Sequence, residues 1–435
     1  MDKFKEALLA NKLISVWGIG YLGYTKTIKL QSKGFKVRIF DITQTGLDMK
    51  GDFTPNSEQL YSWSSNAHVP AIDSSKASIV PIDSMFDANV HFLAFPPVDR
   101  DGRSALKELA DIFIEHKERL DNALVIFQSA GVPGMIDRQF IDVLVVAAHA
   151  VNCGFASAFR DDWTVEEYFY NDRTRVIAAK NEKSLNKARL IYDILGVKYK
   201  TLSNIKEAEV YENAKNTLQY AADVFTNQLA IAYPDVNIRA MARHLMDGVT
   251  LNEAHLGIGA GGYKMFSSVK NILDGSGNPH MLSLIKEVHN NNLSMILHYA
   301  ESIVNKGCKS ATILGLTTRG NQKTIELSPS VILGEYLNRL GVVVYVDDPF
   351  YGEAALAGIF PFSRATDILT DGLKSDALFV MTDHNKFKCI SQADAMRIGI
   401  FNAAVVIDNV PLFKDFEFSH STIYHAVGDG RPGLI

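Results

Sequence analysis

The sequence predicts an α/β protein, two parallel-sheet regions around a helical middle, and three observations lead there. Near the N-terminus a glycine-rich turn joins a short apolar run to a helical stretch. Short apolar runs alternate with helical stretches on both sides of the centre of the chain, the pattern of a doubly wound sheet. Between them, from Lys206 to about Tyr233, apolar residues recur at mixed three and four spacing, which reads as one long helix.

In order, Leu13-Ile-Ser-Val-Trp17 is a strand and Gly18-Ile-Gly20-Tyr-Leu-Gly23 a turn. A helix follows to about Ser32, Gly34 stops it, and Lys36-Val-Arg-Ile-Phe40 is a second strand ending in Asp41. Val90 to Phe95, Ala123 to Phe127 and Val143 to Ala147 read as further buried strands. After the long helix, helical segments continue to about Asn305. Ala311 to Leu316 is a strand, Ser330 to Leu340 a helix, and Val342 to Val346 a strand ending in Asp347-Asp348-Pro349. Ala377 to Met381 and Val405 to Ile407 close the second α/β region. The expected division is a Rossmann-type domain over 1–203, a central helical domain over 204–304 and a Rossmann-like α/β domain over 305–435.

Composition narrows the function classes. A formal charge of −5 gives no basic footprint for nucleic acid, and the short basic stretch Lys183 to Arg189 reads as solvated. The cysteines Cys153, Cys308 and Cys389 have no CxxC spacing, so neither a disulfide frame nor a zinc site is expected. His244 and His280 have no metal-like spacing with a carboxylate, and no metal is assigned. No apolar run reaches the roughly 18 residues of a membrane span, and the charged start MDKFKEALLANKL has no secretory core; a cytoplasmic protein is expected.

The glycine turn carries the chemistry. Its glycines permit a tight bend and close approach of backbone to a pyrophosphate, which then sits at the positive end of the helix. Asp41, closing the next strand, accepts from both ribose hydroxyls and repels a 2′-phosphate, so NAD is expected rather than NADP.

The form Gly-Ile-Gly-Tyr21-Leu22-Gly resembles the UDP-glucose and GDP-mannose dehydrogenase family, and further landmarks follow in order. Phe95-Pro96-Pro97 with Asp99 and Gly102, and Gln128-Ser129-Ala-Gly-Val-Pro-Gly134, resemble two of its cofactor loops. Glu209, Asn216 and Asn227-Gln-Leu-Ala resemble its long central helix, and Gly259-Ala-Gly261-Gly262 the loop that carries its nucleophile. Leu314-Gly-Leu316, Ser328-Pro-Ser330, Asp348-Pro349, Thr382-Asp383 and Phe387 resemble its C-terminal nucleotide-binding domain. The resemblance implies cofactor contacts at Gly18, Gly20, Tyr21, Leu22, Gly23, Asp41, Pro96 and Ser129, substrate contacts at Gly259, Gly261, Gly262 and Arg319, and a homodimer built on the long helix. It also implies two successive oxidations of a sugar C6 alcohol, the second through a cysteine adduct.

The chain departs from that pattern where the second oxidation is made. The nucleophile's position is Lys264, the aspartate expected four residues later is Ser268, and the lysine expected on the long helix is Glu212; Asn216 survives. In the C-terminal domain an expected lysine is Arg319, an acidic pair is Lys323 and Thr324, an arginine is Glu326, and another is Val410. Lys264 and Glu212 are expected to face one another in the cleft, as a general base or imine-forming amine with its partner, or as a plain ion pair. Three readings stay open: a dehydrogenase that makes one two-electron oxidation, a silent NAD- or nucleotide-binding subunit, and an enzyme completing both oxidations with another nucleophile. His255, ahead of the glycine loop, reads as an acid–base group or a packing residue; His289 with Asn290 to Asn292 reads as pocket lining or a solvated face. Asn216 reads as a substrate ligand or as bonding neighbouring backbone.

Overall fold

A computed structural model of the chain describes residues 2–41, 63–64, 69–97, 104–147, 152–160, 162, 164–170, 174–245 and 256–430. Asp99, Gly102 and His255 lie outside the described residues. The chain forms two compact units, Met1–Ala214 with Asn271–Gly277, and Lys215–Lys270 with Asn278–Ile435. The division falls inside the 28-residue helix Ile205–Ala232, which the three-and-four spacing anticipates within a residue at either end.

The first unit is built on an eight-stranded sheet. Its strands are β1 (Leu13–Trp17), β2 (Lys36–Phe40), β3 (Ala77–Ile79), β4 (Val90–Leu93), β5 (Leu124–Phe127), β6 (Gly154–Ser157), β7 (Arg175–Ala179) and β8 (Tyr199–Thr201). Their order is β3-β2-β1-β4-β5-β6-β7-β8, parallel throughout except for β6 against β7. The central strand β5 is a continuous apolar run, and β1 and β4 nearly so, because both faces are covered there. Alternate residues feed opposite cores: Val16, Phe92, Leu124 and Ile126 lie on one face, Trp17, Leu93, Val125 and Phe127 on the other. Helix Tyr21–Gln31 lays Tyr24 and Leu30 on the first face, and helix Ala105–Glu115 lays Leu106, Leu109 and Phe113 on the second. The chain order reverses between β1 and β4, so a crevice opens at the C-terminal ends of those strands.

Two local expectations are corrected. Val143 to Ala147 is not a strand but the helix Asp142–Ala147, continuing the π-helical turn Asp137–Ile141. A five-residue apolar run fits either element; here Phe140, Ile141 and Leu144 are buried at three and four spacing while Val146 is exposed. Nor is the stretch Lys183 to Arg189 wholly solvated. Lys187 is buried in helix Glu182–Leu195, where its Nζ donates to the Asn122 and Ala123 carbonyls at 2.9 and 3.1 Å, and burial lowers its pKa to about 8.

The second unit carries a six-stranded, wholly parallel sheet of β9 (Ser310–Leu314), β10 (Val343–Asp347), β11 (Arg364–Ala365), β12 (Ala377–Val380), β13 (Val405–Asp408) and β14 (Ile423–Ala426). Its order β11-β10-β9-β12-β13-β14 repeats that of the first six strands of the other sheet. Ala230 of the long helix and Ile296, Tyr299 and Ile303 of helix Ser283–Asn305 join Ile313, Phe379 and Ile407 in one core. The C-terminal part of the helical middle is therefore packed on this sheet.

Candidate functional site

The glycine turn stands at the C-terminal end of β1. Gly18 adopts φ +88°, a left-handed conformation that favours glycine, and its N–H donates to the Phe40 carbonyl at 2.7 Å. A Cβ on Gly23 would lie 1.9 Å from the Gly18 carbonyl oxygen, so the helix sits directly on the turn. Around Gly20 a Cβ would meet nothing within 4 Å, and no side chain caps the helix that starts at Tyr21. No capping side chain therefore competes for the first N–H groups of that helix, the arrangement that takes a phosphate. The Ile19 N–H donates to Asp41 Oδ2 at 3.3 Å, fixing the carboxylate beside the turn. Pro96 is exposed just beyond β4, and Ser129 is half-buried just beyond β5. Residues expected to contact the cofactor are therefore gathered on one sheet edge, that of β1, β2, β4 and β5.

Tyr21 differs in kind from its neighbours. Its hydroxyl lies 2.7 Å from Asp162 Oδ2 and 2.5 Å from the Thr164 carbonyl, so it is engaged inside the protein. Burial, then the Asp162 charge, raises the phenol's pKa far above its ordinary value.

The loop after β5 is anchored by the long helix. Glu209 is fully buried; its carboxylate accepts the Gly134 N–H at 2.6 Å and the Ile136 N–H at 3.4 Å, and burial raises its pKa to about 7. One turn on, Asn213 Nδ2 donates to the Gly131 carbonyl at 2.9 Å and its Oδ1 accepts from Asn271 at 3.2 Å. Glu212 is buried on the same helix. Sequence reading took Glu209 as a landmark and missed Asn213; its i+4 spacing from Glu209 was the available signal.

In the second unit three asparagines hold the glycine loop. Asn227 Oδ1 accepts the Gly257 N–H at 2.7 Å, Asn409 Oδ1 the Ile258 N–H at 2.6 Å, and Asn292 brackets Ala260 with bonds of 2.8 and 2.9 Å. A Cβ on Gly261 would lie 2.5 Å from the Pro329 ring, and Gly262 has φ +100°, so neither position accepts a side chain without a shift. Helix Tyr263–Asp274 begins there, with Lys264 half-buried in its first turn and Ser268 buried one turn later. Asn216 Nδ2 donates to Ser268 Oγ at 3.1 Å, so two positions singled out in the sequence are brought together. His289 is half-buried with its Nδ1 3.1 Å from the Tyr220 hydroxyl, which Asn292 also bonds, and its neighbour Asn290 is exposed.

The second sheet repeats the first turn with a different outcome. Gly315 has φ +88° and donates to the Asp347 carbonyl at 2.9 Å, and the Leu316 N–H donates to Asp348 Oδ2 at 2.7 Å. Here, however, the other carboxylate oxygen accepts the Phe350 N–H at 2.8 Å, and buried His384 lies 3.4 Å away. Asp348 is occupied within the fold, whereas the corresponding Asp41 is only half-buried. His384 Nδ1 accepts the Asn321 N–H at 3.0 Å, placing its proton on Nε2, toward Thr317 and Asp348. Half-buried Arg319 lies on the same loop. Beside Val410, Arg239 donates to the Asn409 carbonyl at 3.0 Å and the Val427 carbonyl at 2.9 Å. Sequence reading missed both His384 and Arg239. Among the described residues no group of three or more His, Cys, Asp or Glu is placed to hold a metal, and no helix is long and apolar enough to cross a membrane.

Residues 312–415 match the model of the UDP-glucose/GDP-mannose dehydrogenase family, UDP binding domain. Along its length the chain is similar to a UDP-N-acetyl-D-mannosamine dehydrogenase of Methanococcus vannielii, 22% identical over 413 residues and 91% of each chain. A UDP-glucose 6-dehydrogenase of Bacillus subtilis is 23% identical over 85% of this chain and 87% of its own. Among solved structures, a UDP-glucose dehydrogenase of Pyrobaculum islandicum shares the fold with a TM-score of 0.77, at 18% identity over 96% of this chain and 97% of that one.

Proposed function

For a chain so related to the UDP-glucose/GDP-mannose dehydrogenases, we propose an NAD-dependent oxidoreductase that takes a nucleotide sugar, or a related sugar, through one two-electron oxidation of an alcohol to an aldehyde or ketone. One observation carries this reading: the Gly18–Gly23 turn keeps an uncapped helix start open at Gly20 with Asp41 set beside it. The backbone N–H groups there would hold the pyrophosphate and Asp41 the ribose hydroxyls of NAD, with Pro96 and Ser129 flanking it. NAD, when bound, supplies the hydride acceptor. The chain's own part is to orient the alcohol and accept its proton as the carbon-bound hydrogen leaves with its electron pair. We assign the proton to Lys264, and substrate contacts to Asn216, the backbone of Gly259, Gly261 and Gly262, and Arg319. Glu212, at the position of the family's lysine, is assigned to the same catalytic set. With lysine at the position of the family's cysteine, the product would stop before the acid.

The Asn216–Ser268 bond favours a second reading. Both residues already satisfy one another, as they would in a silent binding subunit. Purified protein incubated with NAD and a panel of UDP-, GDP-, CDP- and dTDP-sugars separates the two. NADH release with a product lighter by two hydrogens is expected, and Lys264→Met should lower kcat by roughly 100-fold or more with KM little changed. NAD binding without NADH from any sugar would select the silent subunit, and an acid product would end the single-oxidation reading.

A homodimer belongs to the same proposal. Tyr211, Leu218 and Phe225 repeat every seven residues along the long helix and are 44%, 56% and 55% exposed. Leu218→Glu combined with Phe225→Glu should convert a dimer into a folded monomer by light scattering; an unchanged mass would move the interface elsewhere.

A further inference from the structure

Beneath the uncapped start of helix Tyr21–Gln31 lies a buried guanidinium. The Arg160 side chain is 1% exposed and sits 3.7 Å from the Tyr168 ring centroid. Its Nη1 donates to the Leu22 carbonyl at 2.9 Å and to Thr25 Oγ1 at 2.8 Å, and Thr25 Oγ1 donates to the Tyr21 carbonyl at 2.7 Å. The other side of the guanidinium is held by Asp162, which Arg175 reaches at 2.7 Å and the Tyr21 hydroxyl at 2.7 Å. Burial works against the charge on Arg160, but Asp162 more than offsets it and the group stays cationic.

Which peptide groups receive these bonds is the informative point. The Leu22 carbonyl belongs to the peptide whose N–H is that of Gly23, and the Tyr21 carbonyl to the peptide whose N–H is that of Leu22. Those two N–H groups are among the helix's unpartnered first-turn donors. A donor at a peptide oxygen polarises the N–H on the other side of the same peptide, more so when the donor is charged and buried.

Resting on the NAD reading, we propose that Arg160 is a positioning residue for the dinucleotide. Its charge, delivered directly to one peptide and through Thr25 to the next, strengthens the two amide donors that face the pyrophosphate. Tyr21 and Asp162 hold it in place. The ligand it favours is a pyrophosphate, whereas a ligand with only the adenine and ribose gains nothing from it.

The test compares NAD, ADP-ribose and adenosine binding to the full chain by calorimetry or NMR titration. Arg160→Gln removes the charge while leaving Asp162 to Arg175. It should weaken NAD and ADP-ribose by about 10- to 100-fold, and adenosine by no more than about 2-fold. Arg160→Lys, which keeps the charge, should recover part of the loss. Thr25→Val keeps the side-chain shape, breaks the relay while leaving Arg160 Nη1 its Leu22 carbonyl, and should weaken both pyrophosphate ligands about 3-fold. Equal weakening of all three ligands would reduce Arg160 to a structural brace and overturn the proposal, as would affinities unchanged in both the Gln and Val variants. Wild-type protein that binds none of the three would overturn the NAD reading itself, and with it this extension, before any variant is made.

Discussion

Gly23→Ala should abolish dinucleotide binding and destabilise the first unit by several kcal/mol. The added Cβ would fall 1.9 Å from the Gly18 carbonyl oxygen and 3.2 Å from Val16 Cγ1, and the nearer atom is backbone that no rotamer change can move. Helix and turn would have to separate, at a cost that exceeds the roughly 1–3 kcal/mol of ordinary overpacking. The substitution is informative because alanine is intrinsically the better helix residue by about 1 kcal/mol, so any loss comes from lost contact between helix and turn. Gly20→Ala is the matched control. Its Cβ meets no protein atom within 4 Å, so the fold should survive while the methyl stands where a phosphate would approach. Calorimetric titration with NAD, alongside thermal unfolding, reads both variants. A stable Gly23→Ala protein with wild-type affinity would refute the close packing described for the turn.

Asp162→Asn should cost the first unit about 3–5 kcal/mol, the usual penalty for stranding a buried charge. The carboxylate is shared by Arg160 and Arg175 and lies with them out of solvent, so its neutralisation leaves two guanidinium groups short of their counter-charge. Burial alone would push the Asp162 pKa up, but Arg160 beside it holds it well below the usual carboxylate range. The sign follows. A depressed folded pKa means stability that is fully present above the unfolded value of about 3.9 and lost as the pH falls below it. Denaturant unfolding of wild type and variant at neutral pH should therefore differ by the full amount, and the difference should shrink in strong acid. A loss under about 1 kcal/mol at neutral pH would mean that the guanidiniums find other partners.

Much of this architecture can be read along the chain because its signals are local. The run from Leu13 to Asp41 contains strand, turn, helix, strand and acidic terminus within one βαβ unit, and each is where the spacing puts it. The long helix is equally legible, since 28 residues give its period many repeats. Strands of two or three residues, such as β3, β8 and β11, carry too few alternations to register. The side chains that fix the site were harder still, because their partners are remote. Tyr21 meets Asp162 across 141 positions, Asn409 meets Ile258 across 151, and Arg239 meets Val427 across 188. Asparagine at these places looks like any polar loop residue until the fold supplies the amide it bonds. Lys187 was misread for the same reason, as its acceptors come from the carbonyl ends of another segment.

The asparagine frame around the glycine loop has a consequence for how such a protein can change. Asn227, Asn292 and Asn409 are uncharged, and all three bond to main chain of the loop, at Gly257, Ala260 and Ile258. A lineage that alters side chains beside the loop leaves these main-chain anchors in place. What shapes the loop and what stands beside it can thus be inherited as separable traits.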